Sequence, residues 1–325
     1  MTIRILGAGV MGLALATELT ARGQQVELVD PRPVPGPHGC SWWAGGMLAP
    51  HCEAESAEEP VERLGLQAID WWDRHAGGVT RRGTLVLALS RDRAELARFA
   101  RRSRGHRALD AEGIAALEPD LAGRFASCLF YAEEAHLTPR RALAELRRRL
   151  EAQGVPFHDA PPQTMPETVI DARGFSARDT LPDLRGVRGE MLVLRSDEVT
   201  LTRPVRLLHP RIPLYVVPRG DGIFMLGATM IESDRRGAIT ARSVLELLSA
   251  AYALHPAFGE AEVLETGADL RPAFADNLPR LRRSGGRLHA NGLYRHGFLL
   301  SPAVARMAAD HLECGTIPEF MDEVT

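Results

Sequence analysis

Lysine is missing from this chain: all 39 basic residues are arginine. That absence excludes a pyridoxal-phosphate Schiff base, a P-loop lysine and a lysine nucleophile at once. Cysteine is scarce, and Cys40, Cys52, Cys128 and Cys314 show no C-x-x-C spacing, which argues against a zinc site or a redox dithiol. No apolar run approaches the length of a bilayer span, and the strand pattern TIRIL at 2–6 leaves no room for a signal sequence before it. The net charge of −3 over 325 residues gives no reason to expect nucleic acid or an anionic membrane as a partner. These absences predict a cytoplasmic protein with no metal and no stable membrane insertion. An apolar content of 45% allows a sizeable core, in one large unit or two intimate domains.

What is present begins at the N-terminus, with IRILGAGVMGLALATELTARGQQVELVD. A β-branched run leads into Gly7-Ala8-Gly9-Val10-Met11-Gly12, then an apolar helix pattern to about Arg22, a C-cap at Gly23 and a second strand ending at Asp30. Gly7 permits the tight turn, Gly9 lets a pyrophosphate approach the backbone, and Gly12 allows close helix-to-strand packing. Val10 and Met11 open the helix whose N-terminus faces the phosphates, and Asp30 is placed to accept from a ribose hydroxyl. The motif does not choose between FAD and NAD, and Arg32 leaves NADP open. No second G-x-G-x-x-G occurs, so NADPH feeding a flavin is not expected; a bound FAD would be reduced by the substrate itself. TVIDARGFSA at 168–177 adds a buried strand and a small-residue turn containing Gly174.

Further along, 59–76 carries a helix pattern with Trp71 and Trp72, TLVLAL at 84–89 a strand, and 91–103 and 110–117 two helices. SCLFYAEE reads as a strand, and RRALAELRRRLEAQG as a crossover helix over about 138–153. From 187, VRGEMLVLRS, PVRLLH, LYVVPR and GIFMLGATM alternate with turns such as Arg219-Gly220-Asp221-Gly222, the pattern of an antiparallel meander, closed by a helix at about 240–254. A strand, loop and helix at 287–314 return the chain to the first unit. The pattern predicts two discontinuous domains, one from 1–80, 138–186 and 265–325, the other from 81–137 and 187–264.

Behind the fingerprint, SWWAGGMLAP (41–50), LYVVPR (214–219), GATM (227–230), ADLRPAF (268–274) and GLYRHGFLLSPAVA (292–305) occur in order. In this combination the chain resembles the D-amino-acid oxidase family of FAD enzymes, and within it the glycine oxidases of thiamine biosynthesis. The resemblance spans essentially the whole chain. It implies an α/β fold: a Rossmann-like FAD-binding domain with a second, substrate domain built on a mainly antiparallel β-sheet. It also implies that the stretch from Ser41 through Ala44, Gly45, Gly46 and Met47 wraps the flavin ring. Arg271 matches the arginine that grips the substrate carboxylate, Tyr215 a tyrosine contacting the same group, Met230 a pocket residue and Arg295 a second arginine beside the site. His296, Gly297, Phe298 and Leu299 lead into a helix aimed at the flavin, with Ser301 and Pro302 read as its N-cap and N1.

The implied reaction is FAD-dependent oxidative deamination of glycine or a similar small amino acid. Hydride passes to flavin N5, and O2 reoxidises the flavin to give H2O2, imine or glyoxylate, and ammonia. A homo-oligomer is compatible with this reading. Two departures are visible. Pro213 and Pro210 stand where well-known glycine oxidases carry a histidine and a tyrosine just before the Tyr215 position. Cys314 lies too late to match the cysteine of covalent-flavin relatives, so noncovalent FAD is expected. The alternatives are a D-amino-acid or N-methyl amino-acid oxidase or dehydrogenase, an NAD(P)-dependent dehydrogenase, and a cofactor-binding sensor without turnover.

Overall fold

A computed structural model describes residues 2–209 and 213–323. The opening run Thr2–Leu6 pairs in parallel with Gln25–Val29 on one side and Thr168–Asp171 on the other, so the strand placed in the cofactor sheet by its sequence lies at its centre. The seven-stranded order is Met321–Glu323, Arg280–Ser284, Arg287–Asn291, Thr168–Asp171, Thr2–Leu6, Gln25–Val29, Phe157–His158. Such a sheet needs cover on both faces. The helix Val10–Ala21 supplies part of it and is buried around its first two turns, which is why its sequence shows no polar face there. The C-terminal helix Gly297–Cys314 and the crossover helix Pro139–Ala152 pack against it.

The second sheet runs Ile231–Glu232, Arg185–Arg195, Ile223–Gly227, Leu214–Gly220, Val205–Leu208, Thr84–Ala88, Ser127–Tyr131, Arg107–Asp110. It is antiparallel except where Val205–Leu208 meets Thr84–Ala88. The long strand Glu262–Ala273 pairs with Arg185–Arg195 along its whole length, from Arg195↔Glu262 to Arg185↔Ala273. The sequence boundary at 265 therefore falls inside a strand of the second sheet. Each sheet has its own core: Ile5, Leu13, Leu28, Trp72 and Leu300 in the first, and Leu85, Leu192, Val216, Leu226 and Leu247 in the second. Fully burying side chains of this size stabilises by about 1.5–3 kcal/mol each.

Two helix readings change. The pattern at 59–76 is two helices, Glu59–Gly65 and Ala68–His75, and Leu299 of the C-terminal helix packs against Gly65 at the break, where a Cβ would lie 2.8 Å from Leu299 Cγ. The C-terminal helix begins at Gly297, so Ser301 and Pro302 lie inside it and not at its N-cap and N1. Pro302 has no N–H for the Phe298 carbonyl one turn earlier. That carbonyl accepts instead from Trp72 Nε1 at 2.7 Å, which lets a proline sit within the helix. No helix among the described residues is long and apolar enough to cross a membrane.

Candidate active site

A cavity of about 880 Å³ runs from the C-terminal ends of the first sheet's parallel strands to the face of the second sheet. At its first end Gly7, with φ +100°, turns the chain so tightly that a Cβ would lie 2.6 Å from the Ala172 carbonyl oxygen. A Cβ on Gly12 would lie 1.9 Å from the Gly7 carbonyl oxygen, so both positions exclude a side chain by packing. Gly9 is different: a Cβ there meets only Ser41 Oγ, at 3.5 Å, and borders the cavity. The Val10 N–H is capped from across the cavity by Ser41 Oγ at 3.1 Å, and Met11 also lines the wall.

Asp30 lies on this wall with Oδ2 accepting from Ala8 N at 2.9 Å and Oδ1 from Arg32 N at 2.8 Å. These bonds fix the carboxylate while leaving each oxygen further accepting capacity. Gly174 opens the turn after Thr168–Asp171, and its carbonyl accepts from Asn291 Nδ2 at 2.9 Å.

The middle of the cavity is walled by the Ser41–Met47 stretch. Gly46 has φ +71°, and a Cβ there would lie 2.3 Å from the Leu137 carbonyl oxygen. A Cβ on Gly45 would press within 2.9 Å of the Tyr215 ring. Ala44 and Gly45 are held from behind by Arg219, which donates to the Gly45 carbonyl at 2.7 Å, the Leu137 carbonyl at 3.0 Å and the Ala44 carbonyl at 3.4 Å. Burial pushes the Arg219 guanidinium down to about 10. Met47 lies on a two-residue strand paired with His136.

Opposite lies the start of the C-terminal helix. The Phe298 ring stacks near Trp72, with centroids 5.1 Å apart, and Leu299 presses on Gly65. These two side chains belong to the core; what they and Gly297 can offer the cavity is the unsatisfied N–H groups of a helix N-terminus.

The far end gathers the residues singled out for substrate. The register sets Arg206, Tyr215 and Gly227 side by side on adjacent strands. Burial raises the Tyr215 phenol, against the lowering influence of Arg271, so it remains a protonated donor. Arg271 lies over Gly189, where a Cβ would be 2.3 Å from Nη2. Its Nη1 donates to the Thr229 carbonyl at 3.0 Å, and no described carboxylate is paired with it. Met230 is half-exposed at the rim, and Pro213 lines the wall; Pro210 lies outside the described residues.

Arg295 does not stand free beside this end. Its Nε is 2.9 Å from Glu53 Oε2, Nη2 donates to Ser56 Oγ at 2.8 Å, and Nη1 reaches Met230 Sδ at 3.5 Å. Glu53 also holds Arg206 through Oε1 and His296 Nε2 at 3.0 Å. Burial opposes ionisation of Glu53, but Arg295, Arg206 and His296 outweigh it and hold the carboxyl well below its usual range. Burial also lowers His296, so its imidazole is neutral near pH 7.

Glu53, Arg206 and Arg219 were not legible as site residues. Glu53 sits in the acid-rich stretch HCEAESAEE, which resembles a solvated surface, and Arg206 and Arg219 each occupy one position in an ordinary strand pattern. The available signal was the cluster of arginines in apolar strands, each of which needs a partner when buried.

The cavity suits FAD. It is continuous from the Gly9 opening to Arg271, two helix N-termini border it, and its middle wall is glycine backbone. Residues 2–311 match the family model described as "FAD dependent oxidoreductase", DAO. The chain is 56% identical over 320 residues to the putative thiamine biosynthesis oxidoreductase ThiO of Rhizobium etli, covering 96% of each. In fold it is similar to the crystal structure of glycine oxidase from Geobacillus kaustophilus, with TM-score 0.81, 23% identity and coverage of 98% and 95%. It is also similar to iminodiacetate oxidase from Chelativorans sp. BNC1, with TM-score 0.81, 23% identity and coverage of 99% of each chain.

Proposed function

Because the chain belongs to the DAO family of FAD-dependent oxidoreductases, we propose that it oxidises glycine or a similarly small amino acid to the imine, with release of glyoxylate and ammonia, in thiamine biosynthesis. Family membership also sets aside the NAD(P)-dependent dehydrogenase that the glycine motif alone left open. Bound FAD would supply the two-electron acceptor for the Cα–H bond, with O2 as the terminal acceptor that gives H2O2. The name of the relative from Rhizobium etli supports the metabolic assignment.

The chain's residues bind, align and shield. The Arg271 guanidinium offers a planar fork that matches a carboxylate in charge and shape. Its neighbours Thr229 and Gly189 fix its position, so the acid end of the substrate meets a preorganised partner. The protonated Tyr215 hydroxyl supplies a second donor for that carboxylate. Holding the carboxylate at this end limits the poses of the Cα–H bond, and such orientation contributes several kcal/mol to lowering a barrier. The substrate ammonium must lose its proton before oxidation. The N–H groups at the start of Gly297–Cys314 favour negative charge beside them. Noncovalent attachment is supported by the position of Cys314 at the far end of that helix, away from the cavity wall.

The observation that carries this reading is Arg271, a guanidinium on the cavity wall that bonds to a carbonyl and to no carboxylate among the described residues. Peroxide production measured across glycine, sarcosine, D-alanine and D-proline tests it. The highest kcat/KM with glycine is expected; activity only with an artificial electron acceptor would make the protein a dehydrogenase.

A further inference from the structure

Of the arginines that line the cavity, Arg206 lies in register beside Tyr215, Arg271 bonds to Thr229 and Arg295 reaches Met230. Two of them are already matched by one carboxylate, since Glu53 engages Arg206 through Oε1 and Arg295 Nε through Oε2. His296 Nε2 shares the second oxygen at 3.0 Å. Arg271 has no such partner among the described residues. Arg271 and Arg295 nevertheless reach consecutive residues: Arg271 Nη1 donates to the Thr229 carbonyl, and Arg295 Nη1 touches Met230 Sδ. Both also line the same cavity.

We propose that Glu53 is a specificity-determining residue which restricts the site to substrates with one carboxylate, by neutralising Arg295 and Arg206 and leaving Arg271, which has no carboxylate partner among the described residues, as the anion clamp. This rests on the amino-acid oxidase reading above. A second substrate carboxylate that came near Arg295 would meet the Glu53 charge beside it, and would have to displace an ion pair that is largely desolvated. Side chains of Glu53 and Arg295 are only 11% and 24% exposed, so solvent screens their interaction weakly. With Glu53 uncharged, Arg295 becomes a second clamp within reach of a short dicarboxylate amino acid such as iminodiacetate.

The experiment uses FAD-loaded protein and two unreactive probes, acetate and malonate, titrated through the change each causes in the flavin absorption band. Glycine turnover is recorded on the same preparations. In the wild type, malonate is expected to bind no more tightly than acetate, and glycine to have a higher kcat/KM than iminodiacetate. In Glu53→Gln, the malonate-to-acetate affinity ratio should rise by about tenfold, the scale of one newly available charge pair. Adding Arg295→Met to Glu53→Gln should lower that ratio again, and adding Arg206→Met as well should return it to the wild-type value, which a general loosening of the site would not do.

A wild type that already prefers malonate, or that oxidises iminodiacetate as well as glycine, overturns the proposal whatever the stability of the variants. So does a folded, FAD-loaded Glu53→Gln protein with an unchanged ratio. Failure to oxidise any amino acid, with the expected acetate and malonate ratios, would overturn the oxidase reading but not the charge-matching role of Glu53.

Discussion

Unlike Arg206 and Arg295, Arg271 has no carboxylate partner among the described residues and donates to the Thr229 carbonyl. Its place depends on Gly189, because any side chain there would collide with the guanidinium. Arg271→Met should raise KM for glycine and lower kcat together, since anchoring and alignment are the same interaction. A fall in kcat/KM of about 10²–10³ is expected, and Arg271→Lys should recover only part of it. Steady-state kinetics on FAD-loaded protein measures this; an unchanged kcat/KM would remove Arg271 from the site.

A second residue-level expectation concerns stability. Burial, with Arg219 and Arg82 nearby, pushes His136 down to about 4. Between that value and the ordinary histidine pKa of about 6.5, the unfolded chain binds the proton and the folded chain does not. Stability from this residue is therefore complete above pH 6.5 and declines as pH falls toward 4, by about 3 kcal/mol. His136→Gln should flatten that part of the pH profile, as read by urea unfolding at stepped pH.

Arg271, Tyr215 and Met230 stood out in the sequence because each sits inside a short motif, and all three line the cavity. Glu53 was not, because its partner Arg206 stands 153 residues away in the chain and no local pattern announces the pairing.

Among the elements, the fingerprint strand, turn and helix were read within a residue or two, since strand, glycines and capped helix all follow from local sterics. The start of the last helix was misread because Ser-Pro is a strong local N-cap signal. What overrode it is tertiary: the Trp72 indole satisfies the Phe298 carbonyl that Pro302 leaves open. Trp72→Phe should therefore destabilise the protein by about 1–3 kcal/mol, the cost of an unpaired buried acceptor plus lost packing. In a Pro302→Ala background the restored N–H can reach that carbonyl, so the same substitution should cost less. A double-mutant cycle by chemical denaturation reads the difference; strictly additive costs would contradict the pairing.

The turn makes a sharper distinction at its glycines. Gly9→Ala should fold with an unaltered apoprotein Tm and bind FAD at least about tenfold more weakly, because the methyl group enters the cavity. Gly12→Ala should fail to fold normally, because its methyl group meets the Gly7 carbonyl. Reconstitution of apoprotein with FAD, followed by fluorescence, separates the two.

At the scale of the whole molecule, the chain crosses between two sheets several times, and each sheet closes its own core. The texture change near 187 was visible in the sequence because strands and tight turns replace helices there. The extent of Glu262–Ala273 was not: its outer residues look like any exposed edge, and only the eleven-residue partner Arg185–Arg195 defines its register. That pairing carries function. It brings Arg271 from one stretch of chain over Gly189 from another, while Gly45 meets Tyr215 from the neighbouring strands. The substrate clamp and the wall beside the cofactor are thus assembled by long-range pairing, which explains why motifs located the residues but not their contacts.

Anaerobic mixing of the FAD-loaded protein with glycine tests the central claim most directly. The account expects the oxidised flavin band to bleach in the wild type, and far more slowly in Arg271→Met at the same glycine concentration. A wild-type protein that stays yellow at saturating glycine, or two proteins that bleach at the same rate, would contradict it.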